Sequence, residues 1–495
     1  MNPVIETRQG KLRGCSSNGV TSFKGVRYAA PPFGAHRLQP PQPVQPWDGV
    51  RDAQAFGPKP PQVDYPPGIS EFLLELVGPG EDCLTLNIWT PDTGTAGLPV
   101  MVWIPGGMFE FHATGATPFY DGSRFARDGA VCVTINYRVG ADGFLYFADG
   151  VANPGLLDQI AALRWVQDNI AAFGGDRDRV AVFGESAGGM SVATLLTMPR
   201  TKGLFHRAIV QSGNTPIVNS AATARRIGQR LADILGVPAT RAAIAAMSTT
   251  QILQAQAKLR AELIADPDPT LWGEVALSYL PWAPVVDGKT IPQPPIDAIA
   301  AGAAADIDLL VGSNEEETRL FFVSDGSIDR IPNAAVVALA AAYELSGEGL
   351  SGYRAAYPDA TAGELLSAIQ TDWYWRLPAV RLADAHASRT RASTYMYEFA
   401  WRSPLFDGRL GAAHSMEIPF VFDTLGLGTQ GLLGDAPPQA LATAMHAAWI
   451  AFARTGDCGW AKYDSLRRST MHFDATLAVI DDPMAARRTL WKNAC

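Results

Sequence analysis

Apolar residues along this chain fall into two patterns. Short runs rich in Val, Ile and aromatic residues read as strands, and longer stretches with apolar residues every three or four positions read as helices. Leu98-Pro99-Val100-Met101-Val102-Trp103-Ile104 predicts a strand that stops at Pro105-Gly106-Gly107. Further strands are expected at Ala130 to Asn136, Val180 to Phe183, Ala208 to Val210, Ile307 to Val311 and Thr394 to Phe399. Between them, Leu156, Ile160, Leu163, Val166 and Ile170 mark a helix within Gly155 to Phe173, and Ala440 to Arg454 reads as a late helix ending before Gly456. Buried strands alternating with helices predict a mostly parallel central sheet with helices on both faces, an α/β fold. The Ala-rich helical stretch 215–300 interrupts the strand series and fits a lid-like insertion in a single domain of residues 1–495. The Pro-rich stretch from Pro40 to Pro67 is expected to pack onto the domain rather than link two, because Trp47, Val50, Phe56 and Tyr65 punctuate it.

Composition narrows the function classes. A formal charge of −9 leaves no broad basic face, so nucleic acid is not an expected partner. No apolar run reaches the roughly 18 residues of a membrane span, and Met1 to Arg8 has no apolar core of a secretory signal. Five scattered cysteines (15, 83, 132, 458 and 495) form no metal-binding or disulfide pattern, and Cys132 reads as plain core. Cys495 is terminal and cannot be a prenylation cysteine. A cytoplasmic, reduced protein is expected.

Chemistry concentrates in Gly184-Glu185-Ser186-Ala187-Gly188, which lies between the apolar run Val180 to Phe183 and the helix-like run Gly189 to Leu196. Strand, sharp turn and helix is the context of a nucleophile elbow, so Ser186 is the expected nucleophile. Gly184 and Gly188 are expected to be glycine because a Cβ would collide where strand and helix cross. A serine hydroxyl needs a base and a group orienting that base. His386 and His446 sit in helix-like runs and His472 in a strand-like one, which leaves His414 as the loop histidine that can reach a site. The acid is expected after the strand at Ile307 to Val311, among Glu315, Glu316 and Glu317, with at least one of these in a solvated turn. The N–H of Ala187 and the glycine loop from Pro105 to Phe109 are the expected oxyanion donors, each worth about 3 kcal/mol in the transition state. Gly426-Leu427-Gly428-Thr429-Gln430-Gly431 spells a dinucleotide fingerprint but leads into no helix and closes no βαβ unit, so it reads as a mobile loop.

Longer motifs carry a resemblance. Ser22 to Pro32, Glu81 to Ile88, Asn136-Tyr137-Arg138 and Gly155 to Asp176, followed by the elbow, are similar to the type-B carboxylesterase (cholinesterase-like) family of α/β hydrolases, particularly its bacterial para-nitrobenzyl-esterase-like members. The resemblance implies the α/β-hydrolase fold, a small-molecule ester substrate and no cofactor or metal. It implies Glu317 as the acid, His414 as the base, Gly107, Met108 and Ala187 as oxyanion donors, Gly106 as the preceding loop glycine, and Ser212 as a serine near the triad. Pro105 replaces the family's usual His or Tyr, and Met108 its usual Gly or Ala, so esters of tertiary alcohols are expected to fit poorly. Pro60 stands where secreted relatives carry the disulfide partner of the cysteine at 83, and no Trp lies between Val63 and Gly80, which argues against choline esters. A non-catalytic binding protein on the same fold, or an amidase or lactonase with the same triad, are the alternatives.

Overall fold

Eleven strands form the main sheet of the protein in a computed structural model, which describes residues 2–491 apart from 66, 67, 73, 113, 214, 216 and 390. Cys495, Pro66 and Pro67 lie outside the described residues. In chain order the strands are β1 (Cys15–Ser17), β2 (Val20–Arg27), β3 (Thr85–Thr90), β4 (Leu98–Ile104), β5 (Val131–Ile135), β6 (Gly175–Glu185), β7 (Arg207–Gln211), β8 (Asp308–Asn314), β9 (Thr394–Phe399), β10 (Ser469–Phe473) and β11 (Ala478–Asp481). Their spatial order is β11-β10-β9-β8-β7-β6-β4-β5-β3-β2-β1. The run from β10 through β5 is parallel throughout. Antiparallel pairs close both edges: β11 with β10 on one side, and β5-β3-β2-β1 on the other.

The period of two along each central strand sends alternate residues to opposite faces. Val100, Val102, Val180, Val182, Val210 and Val311 join one core, while Met101, Trp103, Phe183, Ile209 and Leu310 join the other. The helices used below are α1 (Gly140–Phe144), α2 (Pro154–Asn169), α3 (Ala187–Leu195), α4 (Ala221–Leu235), α5 (Thr249–Ala265), α6 (Gln430–Leu433) and α7 (Gln439–Thr455). Leu156, Leu163 and Val166 of α2 pack in the first core, and Met445, Trp449 and Phe452 of α7 in the second. Helices therefore cover both faces. Among the described residues no helix is long and apolar enough to cross a membrane.

The edge strand β1 carries no apolar signature, which is why the sequence pattern passes over it, whereas the opposite edge β11, Ala478-Val479-Ile480-Asp481, is apolar but exposed throughout. β1 is exposed at every position, and a small separate sheet of Val4–Glu6, Lys11–Arg13 and Val50–Asp52 is largely exposed. Val50, expected to pack, is 40% exposed because its strand lies on the surface. The rest of the Pro-rich stretch does pack. Trp47 lies over Gly10, where a Cβ would fall 2.5 Å from its ring, Phe56 tilts against Trp89, and Tyr65 stacks on Phe111 at 4.6 Å.

Arg138 and Asp158, both from family-like motifs, form a fully buried bidentate pair. Nε and Nη2 of Arg138 donate to the two carboxylate oxygens at 2.7 Å, and its backbone N–H donates to Oδ2 at 3.1 Å. The helical stretch 215–300 leaves the sheet after β7 and returns as β8, the neighbouring strand. Within it α4 begins at a Ser220 cap and ends at Gly236, α5 starts in a capping box of Ser248 and Gln251, and the two helices pack together.

Candidate active site

The elbow takes its shape from two glycines. A Cβ on Gly184 would lie 2.7 Å from the Gly188 backbone, and one on Gly188 would lie 2.0 Å from the Ile104 carbonyl oxygen. Only bare backbone lets β6, α3 and β4 approach so closely. Ser186, between β6 and α3, is left at φ 56° and ψ −124°, a conformation that costs about 1–3 kcal/mol for a residue with a side chain. Its N–H donates to the Gln211 carbonyl at 3.0 Å and its carbonyl accepts from Met190 at 2.8 Å, which fixes the turn from both sides. Ser186 lines a cavity of about 760 Å³.

His414 lines the same cavity from its loop. Its Nδ1 lies 2.6 Å from Oε2 of Glu317, which follows the end of β8 and is fully buried. The other oxygen of Glu317 accepts from Ser212 Oγ at 2.6 Å and from the Asn314 N–H at 2.8 Å, so the carboxylate is saturated and directional. Of the three adjacent glutamates, none sits in a solvated turn, contrary to the expectation above. Glu316 accepts from the Ala412 N–H at 3.0 Å and pairs with Arg402 and Arg319, holding the histidine loop. Glu315 is half-buried and its carboxyl is raised, first by burial and then by the neighbouring Glu398 and Glu316 charges.

A further carboxylate meets the imidazole. Oε1 of Glu185 lies 3.1 Å from Nε2 of His414 and accepts from Ser415 Oγ at 2.7 Å. Nε2 makes no hydrogen bond to Ser186 among the contacts of the described residues; the two residues share a cavity wall. Burial pulls the imidazole toward neutrality, but the charges of Glu185, Glu317 and Glu417 outweigh it and push His414 up to about 9. Glu417, bonded by Gln211 at 3.1 Å and Asn314 at 2.8 Å, is itself pushed up to about 8 by burial and by Glu185 and Glu317. Phe321 and Trp375 lie over the imidazole at 5.5 and 5.2 Å.

The glycine loop after β4 adjoins the serine. A Cβ on Gly106 would fall 2.7 Å from the Glu185 carbonyl oxygen and 3.1 Å from Ser186 Cβ. Gly107 stands at φ 108°, and Met108, Phe109 and His112 at 57°, 58° and 46°, so this loop stores several kcal/mol of backbone strain. The backbone N–H groups of Gly107, Met108 and Ala187 bond to no other described residue, an arrangement that invites an anionic ligand. The Pro105 carbonyl accepts from Tyr137 Oη at 2.9 Å, so this position is held through its backbone rather than its side chain.

Sequence reasoning missed several cavity residues. Gly428, Thr429 and Leu432 belong to the segment expected to be a mobile loop; Gln430–Leu433 instead forms the single turn of α6, and the segment walls the cavity. Glu185 was legible as a residue inside the elbow motif but not as a partner of His414, because the contact spans more than 200 positions. Tyr65, Phe72, Phe119 and Phe321 supply much of the remaining lining, which is predominantly apolar.

The profile of the Carboxylesterase family matches residues 1–491. The chain belongs to this family. It is a carboxylic ester hydrolase on the α/β-hydrolase fold. The carboxylesterase is 38% identical to the para-nitrobenzyl esterase of Bacillus subtilis (strain 168) over 98% of its own length and 97% of that protein. It is 37% identical to the phenmedipham hydrolase of Pseudarthrobacter oxydans over 92% of its length and 90% of that protein. Among solved structures, a Geobacillus stearothermophilus carboxylesterase superposes with a TM-score of 0.84 at 36% identity, covering 99% of this carboxylesterase and 100% of that chain.

Proposed function

We propose that this carboxylesterase works through an acyl-enzyme on Ser186, with His414 as general base and then general acid, and Glu317 orienting the imidazole. One observation carries the reading. His414, at the end of the buried chain Ser212–Glu317–His414, lines one cavity with a strained serine at a strand tip. Oγ of Ser186 attacks the ester carbonyl carbon as its proton passes to Nε2, and Gly107, Met108 and Ala187 donate to the oxyanion. Collapse breaks the bond to the alcohol, which departs with that proton. Water then attacks the acyl carbon, gives its proton to Nε2, and Ser186 leaves protonated. The mechanism requires Oγ and Nε2 to close to hydrogen-bond distance when an ester enters, as catalytic contacts commonly do.

Apolar lining by Phe72, Phe119, Leu320, Ile418 and Leu432 favours a neutral ester with alkyl or aromatic groups. Residues 215–300 are read as a lid-like insertion in one hydrolase unit, supported by the pairing of β7 with β8 across that stretch. A cytoplasmic location is supported by Cys83, which is buried and unpaired. Ser186→Ala should lower kcat/KM for p-nitrophenyl butyrate at least about ten-thousand-fold and abolish labelling by a fluorophosphonate. Unchanged turnover would end the proposal.

A further inference from the structure

The strained loop 107–112 is gripped by one helix from outside the sheet. On α5, Gln256 and Arg260 stand one turn apart and so share a face. Nη1 of Arg260 donates to Oε2 of Glu110 at 2.6 Å, Nη2 lies 3.6 Å from Sδ of Met108, and the guanidinium sits 5.0 Å from the Phe111 ring centre. Glu110 is 1% exposed and the Arg260 side chain 14%, so the pair is shielded from solvent. Gln256 reaches the same loop indirectly. Its Oε1 accepts from the Ala141 N–H at 2.8 Å, and the preceding residue, Gly140, donates its N–H to the Phe109 carbonyl at 2.7 Å. A Cβ on Gly140 would fall 2.2 Å from that same Gln256 oxygen. The loop is thus tied to α5 at Glu110 on one side and through α1 at Phe109 on the other.

We infer that Arg260, Glu110 and Gln256 are positioning residues that hold the N–H groups of Gly107 and Met108 toward Ser186. The inference rests on the oxyanion role proposed above. Left-handed conformations at consecutive residues with side chains persist only where the surroundings over-determine them. The loop's own bonds, from the N–H groups of Glu110 and Phe111 to the Gly107 carbonyl, close its turn but do not anchor it to the rest of the protein. The ion pair does. A buried pair also resists slippage, because parting it would strand a charge in an apolar site. Since α5 belongs to the 215–300 stretch, displacement of that stretch is felt directly at the donors.

The test uses Arg260→Met, Arg260→Lys and Glu110→Gln in the full chain. For each, kcat and KM on p-nitrophenyl butyrate are measured together with the inhibition constant of an alkyl trifluoromethyl ketone, which adds to serine and sets its oxygen among the donors. Arg260→Met and Glu110→Gln should lose about 10–100-fold in kcat with KM within about twofold, and ketone affinity should fall by the same factor. Arg260→Lys should recover part of both. Should Arg260→Met fail to fold, Glu110→Gln, which keeps the side-chain shape, and Arg260→Lys carry the comparison. Variants with a lowered melting temperature but wild-type kcat and ketone affinity would overturn the inference while leaving the acyl-enzyme mechanism intact. Retained turnover in Ser186→Ala would remove the mechanism and the inference together.

Discussion

Replacing Glu185 by Gln should move the pH profile of the carboxylesterase to lower pH. The carboxylate lies 3.1 Å from the nitrogen that must accept the serine proton. Two unit charges at that separation attract by about 5 kcal/mol at an effective dielectric constant near 20. Burial offsets part of this, and Glu317 and Glu417 add to it, so the net rise of His414 from 6.5 to about 9 is worth roughly 3 kcal/mol. Glu185 is the largest of the raising influences, and its removal should lower the imidazole by at least about one pH unit, or about 1.4 kcal/mol. The sign is fixed by the chemistry. A protonated imidazole cannot take the serine proton, so kcat/KM climbs as pH rises through the His414 pKa. In the wild type it should still be climbing toward about 9. In Glu185→Gln the climb should finish earlier, raising activity near pH 7 by up to about tenfold if the amide preserves the geometry. The assay is kcat/KM for a neutral p-nitrophenyl ester between about pH 5 and 9.5, corrected for spontaneous hydrolysis. A midpoint that stays fixed, or moves upward, would refute the reasoning.

Ser212→Ala removes a 2.6 Å bond to the buried Glu317 carboxylate, and kcat should fall about tenfold or more with little change in KM. Steady-state kinetics on one ester suffice to check it. Met108→Gly replaces a side chain held at φ 57°, so it should relax the backbone and narrow the rate gap between ethyl and tert-butyl acetates by about tenfold. Equal wild-type rates on the two esters would contradict the crowding on which this rests. Asp158→Ala strands the buried Arg138 guanidinium and should cost about 3–5 kcal/mol in urea unfolding; a loss below about 1 kcal/mol would show that the site admits water.

Parts of this architecture are written locally in the chain. The parallel strands β4 to β9 each contain a buried run whose apolar content announces it. Gly184 is demanded by a 2.7 Å approach to Gly188 within one strand-turn-helix unit, whereas the 2.0 Å approach that demands Gly188 comes from Ile104 on β4. Other features exist only after folding. The polar β1 is a strand because β2 offers it a partner, not because of its own side chains. Glu185 points at His414 because β6 ends beside the histidine loop, a proximity set by the strand order. Glu316 illustrates the same limit: its neighbours suggest an acidic turn, yet its partners Ala412 and Arg402 come from nearly a hundred residues away. The segment around α6 misleads for the opposite reason, since a glycine spacing known from one context here closes a single helical turn against an apolar cavity.

The shared direction of the central strands gives the molecule a working end and an idle one. Loops leaving β4, β6, β8 and β9 carry the chemistry, whereas the turn of Gly94, Thr95, Ala96 and Gly97 enters β4 from its far end and is exposed to solvent. A peptide tag or reporter spliced into that turn should therefore leave ester turnover untouched, offering an attachment point for surface immobilisation that keeps the cavity mouth free.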